Sequence, residues 1–357
     1  MATISDYQSA PLAARPALNL VQFGWTVTVS FLLAAALFGI GVVALSTGEY
    51  ELTHEQVLNV LFLDADDVTR AERIPHVIVH ELRLPRLVLG MMVGGALAIA
   101  GVMLQDSMHN VLAEPGLLGV SSGAVVVVAS ITVFNIGVPA GQLPLLAMAG
   151  GIAAGMMLLF ATTLKVEPVR LVLVGAAITA FLNALLLVVI NLGEPFDIQV
   201  LYRFMVGSLC NRGWDDVHLI LPWLVIGVPL ALLSTRALNL LQLGDDLAEG
   251  LGLPVVRARL AIFGISIALV AAVVSVAGPV SFVALLAPHV ARRILRTHDA
   301  RRVMPVAGLF GAFLVIAADL MARTVMAPIE LPVGLFTVLL GAPVLLVLLR
   351  REITHIK

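Results

Sequence analysis

The sequence predicts an all-α, polytopic membrane protein with about ten transmembrane helices, and three observations support it. Apolar residues make up 60% of the 357 positions and charged residues only 12%, about half the charged fraction of a soluble domain. The mean hydropathy is +1.04. The apolar residues are gathered into blocks, most long enough to cross about 30 Å of hydrocarbon, and most charges fall between blocks.

The blocks lie near 25–46, 87–105, 117–136, 143–164, 171–191, 217–234, 258–278, 280–295, 304–326 and 332–349. Residues 1–24 are polar and rich in Pro and Ala and read as an N-terminal tail, 25–351 as one transmembrane domain, and 352–357 as a C-terminal tail. The first block is longer than the apolar core of a signal peptide and is followed by many more, so it reads as an anchor. The second is 19 residues without a charge, Leu87 to Gln105. Its Gly90–Gly94–Ala98 ladder offers a face on which another helix can approach closely. The eighth is short, with Gly278-Pro279 before it and Pro288 inside it. Such interruptions survive in a bilayer where neighbours satisfy the freed backbone or where a cavity is lined.

Basic residues set an expected orientation. With the N-terminus inside, 14 of the 21 lysines and arginines fall in inside segments and seven outside, which places both termini in the cytoplasm. The long first loop, about 47–86, then lies outside with eight acidic residues.

Several function classes are excluded or weakened. A net charge of −2 argues against nucleic acid, which demands a basic surface. Cys210 stands alone, so neither an internal disulfide nor a multi-thiolate metal site is possible. The only lysines, Lys165 and Lys357, follow no GxxxxG, so the chain carries no P-loop. Gly119-Val-Ser121-Ser-Gly123 fits the nucleophile-elbow pattern but opens a membrane helix instead of joining strand to helix, so it reads as glycine packing. His80-Glu81 lacks the second histidine of a zinc protease helix. No catalytic residue, metal ligand or bound cofactor is expected. Few acids lie deep within the blocks, which weakens an ion-coupled transporter as the alternative class.

Three constellations carry the positive reading. Arg83-Leu-Pro-Arg86 opens the second block, and Arg323 sits in Asp319-Leu-Met-Ala-Arg323 near the end of the ninth. On their residues alone, the first two could equally be interfacial anchors that snorkel or guanidinium forks for carboxylates. Leu243-Gly-Asp-Asp-Leu-Ala-Glu-Gly-Leu-Gly-Leu-Pro254 places Leu243, Leu247 and Leu251 every four residues with acids on other faces, a short amphipathic helix stopped by Gly252 and Pro254. Gly278-Pro-Val-Ser-Phe-Val-Ala-Leu-Leu-Ala-Pro-His289-Val-Ala-Arg292 precedes the densest basic loop, and His289 reads more readily as a structural hydrogen-bonder than as a ligand.

In this order the motifs resemble the iron-chelate and vitamin B12 (FecCD-type) permease family of type II ABC importers, and the resemblance runs from about 35 to 351. It implies a BtuC-like permease fold of ten helices. It implies a permease subunit moving a ferric siderophore or similar metal chelate across the bacterial cytoplasmic membrane, with haem or cobalamin as alternative cargo. It implies as partners a second permease copy or a homologous permease, two ATPase subunits that consume ATP, and a periplasmic or lipid-anchored substrate-binding protein. Residue by residue, it assigns docking of the binding protein to Arg83, Arg86 and Arg323. It assigns ATPase coupling to Leu243, Gly244, Asp245, Leu247, Ala248, Leu251 and Gly252. The fifth helix lines the pore in relatives, which makes Asn183 a pore candidate. In relatives that carry small hydroxyl residues there, the loop corresponding to 165–170 forms the cytoplasmic gate; this chain departs with Glu167, Pro168 and Val169, which makes Pro168 and Val169 gate candidates by resemblance alone.

Overall fold

The computed structural model describes residues 14–48, 50, 52–62, 72–161 and 168–355, and every element among them is helical. Fifteen α-helices follow in chain order among the described residues: α1 Ala14–Ser46, α2 His54–Leu61, α3 Arg73–Val77, α4 Leu84–Met108, α5 Val120–Val133, α6 Leu143–Ala161, α7 Pro168–Asn191, α8 Pro195–Val206, α9 Trp214–Leu233, α10 Thr235–Leu241, α11 Asp245–Gly250, α12 Val255–Ala277, α13 Val283–Leu295, α14 Ala300–Thr324 and α15 Val333–His355. Each of the ten apolar blocks coincides with one of these helices. Among the described residues, seven helical stretches are long and apolar enough to cross a membrane; α5 and α15 contribute shorter apolar stretches, and α13 is the short eighth block. The first helix begins at Ala14, inside the segment expected to be a loose tail.

Burial divides the bundle. α4, α12 and α14 form an inner frame with α13, whereas α1, α6, α7 and α9 keep broad apolar faces exposed. The frame is tight because small residues meet backbone: Gly94 lies against the Gly311 carbonyl, Gly101 against Ala284, and Gly311 against Gly94 and Ala98. The small-residue ladder of α4 is thus a contact with α14. Without water to expel, helices in lipid associate through such close packing. Gly123 of the GxSxG segment packs against Gly150 and Ala154 of α6, and the neighbouring Ser122 donates to Asn183 Oδ1 at 2.9 Å. The segment does what small residues do between membrane helices.

Three pieces of structure were not separately anticipated. In the first loop, Thr53 and Gln56 form a reciprocal capping box that starts α2, and Leu45, Leu52, Val57, Val60 and Val79 make a small core of their own. A π-helical turn, Ile78–Arg83, leads into α4, with Pro85 in the first turn of that helix. The connection after α7 contains α8, with Pro195 at its start and Gly207 at φ 83 closing it. Gly207 has no room for a side chain, because a Cβ there would meet the Pro279 backbone.

Candidate functional sites at the two ends of the bundle

Along α4, Arg86 and Asp106 are 20 residues apart, about 30 Å at 1.5 Å per residue. The polar residues singled out from sequence gather at these two ends, called upper (Arg86) and lower (Asp106) below.

At the upper end the three arginines converge, but they are not free. Arg86 grips Asp319 through Nε and Nη2, the shortest contact 2.9 Å, and Glu330 through Nη1 at 2.9 Å. Arg323 approaches the same Asp319 at 3.2 Å and donates to the carbonyls of Ala44 and Thr47. Arg83 donates to the carbonyls of Leu45 and Tyr50. Side-chain exposure is 12% for Arg86 and 10% for Arg323, against 36% for Glu330. The physical reason is plain: guanidinium groups at the edge of a low-dielectric bundle need partners, and a buried unpaired charge is costly. Burial disfavours the charge of Glu330, in the loop between α14 and α15, but Arg86 and Arg323 outweigh it and hold its carboxyl below the ordinary range. Glu330 is the exposed member of the cluster.

At the lower end, α11 forms within the predicted amphipathic segment. Leu243, Leu247 and Leu251 are 53%, 61% and 63% exposed, an unpartnered apolar stripe. Ala248 is fully buried on the opposite side, so it seats the helix on the frame and does not face outward. Gly244 and Gly252 bracket the helix at φ 98 and φ 86, conformations that a side chain would strain. Asp245 pairs with Arg259 at 2.7 Å, and that hydrogen bond holds its carboxyl below the usual aspartate range. Arg259 also donates to the Ser107 carbonyl at the end of α4, so α11 is tied to the frame. Beside it, Arg292 of α13 pairs with Asp106 at 2.7 Å and donates to Gln105, while Gln105 donates to the Ala284 carbonyl.

The gate expected at 165–170 lies largely outside the described residues. Pro168 and Val169 open α7, and nothing is described of their side chains. Asn183 is exposed on α7 and accepts from Ser122.

Sequence reasoning missed the partners of these arginines. The spacing of Asp319 and Arg323, four apart on one helix, was a signal for an internal pair. So was Arg259, a charge in the first turns of an apolar helix.

The family model described as the FecCD transport family matches residues 26–351. The chain belongs to the FecCD transport family. Among its relatives, the iron(3+)-hydroxamate import system permease protein FhuG of Bacillus subtilis is 37% identical over 331 residues, covering 90% of this chain and 96% of the relative. The Fe(3+) dicitrate transport system permease protein FecD of Escherichia coli is 39% identical, covering 74% and 83%. The hemin transport system permease protein HmuU of Yersinia pestis is 38% identical, covering 76% and 82%. A metal-chelate type ABC transporter solved in an inward-facing conformation superposes with a TM-score of 0.79 at 24% identity, covering 91% of this chain and 99% of that one; this likeness establishes the fold. The FecCD chain described here is therefore a multi-pass membrane permease, and the two polar ends belong to a transport subunit.

Proposed function

We propose that the chain is the membrane-spanning subunit of an ATP-driven importer for a ferric chelate. It pairs with a second copy or a homologous permease, is driven by two ATPase subunits, and receives cargo from a substrate-binding protein. The observation that carries this reading is the exposed leucine stripe of α11, bolted by Asp245–Arg259 to the same frame whose far end holds the arginine cluster. A push on the stripe is delivered to α4 and α12 without an intervening flexible joint. Leu243, Leu247 and Leu251 make the ATPase contact, while Gly244, Asp245, Ala248 and Gly252 shape and hold the helix.

The upper end faces outward, with both termini cytoplasmic, as the basic-residue distribution supports. Carboxylates of a docking protein reach Arg86 by exchange with Glu330, its exposed partner; Arg83 and Arg323 hold the loop and helix ends around it. Relatives whose names specify hydroxamate and dicitrate complexes of iron(III) support ferric chelate as cargo. Haem is the second reading, because a hemin permease is about as similar.

The test is reconstitution with a cognate ATPase and substrate-binding protein. Uptake of radioactive ferric chelate into proteoliposomes is expected to require ATP and binding protein. Arg86→Glu is expected to weaken binding-protein affinity strongly, Arg86→Lys less so because it keeps charge but loses the planar fork, and Glu330→Gln to strengthen it. Uptake driven by a proton gradient without ATP refutes the importer assignment; unchanged affinity in Arg86→Glu refutes the docking role alone.

A further inference from the structure

Two connected cavities open at the upper end, beside the arginine cluster but apart from it. The larger, about 460 Å³, lies between the upper ends of α5 and α6, helix α8 and the 208–212 loop. The smaller, about 180 Å³, continues towards Glu330 and Pro332. They share Gln199, Arg203, Ser208 and Cys210. The larger alone falls in the usual size range of small-molecule sites.

The polar chemistry of this space is one-sided. Arg203, in the last turn of α8, is exposed and makes no ion pair among the described residues. Arg212 pairs with Asp216 through Nη1 at 3.3 Å, but its Nε is a buried donor with no acceptor. Gln199, Ser208 and Asn211 add neutral hydrogen-bonding groups. The acid on the wall, Glu330, is already held by Arg86. Arg203 is therefore a cation without an ion-pair partner on a wall that otherwise offers neutral polar and apolar groups, Arg212 paired with Asp216 and, at the far end, Glu330 held by Arg86. A guanidinium recognises carboxylate by two parallel N–H bonds, and a half-enclosed cleft strengthens the attraction relative to open water.

We propose that this vestibule is the first substrate subsite of the permease and that it selects ferric chelates bearing free carboxylates, which Arg203 and Arg212 receive. The proposal rests on the importer reading above and adds to it the charge of the cargo. An anionic lipid headgroup would share the chemistry, so the test separates the two.

Cys210, the chain's single cysteine, lines both cavities and reports on them. The full chain is purified in zwitterionic nanodiscs and Cys210 is labelled with an anionic or a cationic methanethiosulfonate. The same thiolate attacks the sulfur of either reagent and expels methanesulfinate, so the ratio of their rates reads the local potential and cancels the thiol's own acidity. Arg203→Gln is expected to lower the anionic-to-cationic ratio about fivefold, the order for removing one charge several ångströms away in water. Millimolar ferric citrate is expected to slow labelling of the wild type and not of Arg203→Gln, while a neutral ferric trihydroxamate slows neither. An unchanged ratio in Arg203→Gln, equal protection by both chelates, or protection by neither overturns the proposal. So does slowing by added phosphatidylglycerol with none by ferric citrate, which assigns the site to lipid. Labelling needs no ATP or partner, so these failures leave intact uptake untouched, whereas loss of ATP-dependent uptake strikes only the importer reading.

Discussion

Adjacent glycines of α4 should respond in opposite ways to the same substitution. A Cβ added at Gly94 would lie 2.6 Å from the Gly311 carbonyl carbon and 2.8 Å from Ala312 Cα. Non-bonded carbons rest at about 3.5–4.0 Å, so Gly94→Ala forces α4 and α14 apart by about 1 Å where both are backbone and neither can rotate away. Overpacking of this kind costs about 1–3 kcal/mol. A Cβ at Gly95 meets only the Gly308 carbonyl oxygen, at 3.6 Å, which is ordinary contact. There alanine keeps the packing and removes the glycine's conformational freedom, a change of about 0.5–1 kcal/mol in favour of the helix. The two variants should therefore differ by about 1.5–4 kcal/mol in stability. Thermal melting of the detergent-purified subunits, followed by monodispersity on size exclusion, reads the difference directly. If Gly94→Ala melts at or above Gly95→Ala, the backbone contact between α4 and α14 does not hold the frame.

Three further outcomes follow from the ends of the bundle. Leu247→Asp, on the exposed stripe, should leave the melting temperature within error of wild type yet abolish ATP-dependent uptake; normal uptake removes α11 from the coupling role. In a Cys210→Ser background, a cysteine at Asp66 should react with an impermeant maleimide from outside, and one at Thr297 only after permeabilisation; the reverse pattern inverts the orientation. The folded Asp245 carboxyl titrates below the ordinary aspartate value because Arg259 hydrogen-bonds its charged form. Its stabilising contribution is therefore present above that value and lost as the pH falls through the depressed one. Wild type and Asp245→Asn should differ in melting temperature near neutrality, the gap should begin to shrink below about pH 4 and close only below the depressed value, and a gap that does not shrink over that range would locate the effect elsewhere than the ion pair.

Most of the architecture was legible because a bilayer imposes length and hydropathy together: each apolar block became a helix. The amphipathic segment was legible for the same reason, since Leu243, Leu247 and Leu251 repeat with the helical period. The pairing of charges was not. Arg86 meets Glu330 across 244 positions and Arg292 meets Asp106 across 186, and no local spacing encodes such distances. The arginines read as surface groups offered to a partner because a sequence shows charge without showing what already neutralises it. Helix α8 was hidden within a connection because its 12 residues mix polar and apolar positions and are too short to span.

The uneven burial of the helices has a consequence for the time the chain takes to reveal its backbone to solvent. Amides at the centres of α4, α12 and α14 are largely shielded by neighbouring helices, and ion pairs anchor both ends of α4 and the first turns of α12, so deuterium can enter them only when the whole frame comes apart. Those near the upper end of α7 and in α8 lie on exposed faces and need only a local opening. A single labelling time course would thus resolve a slow axle and a fast shell within one continuous polypeptide.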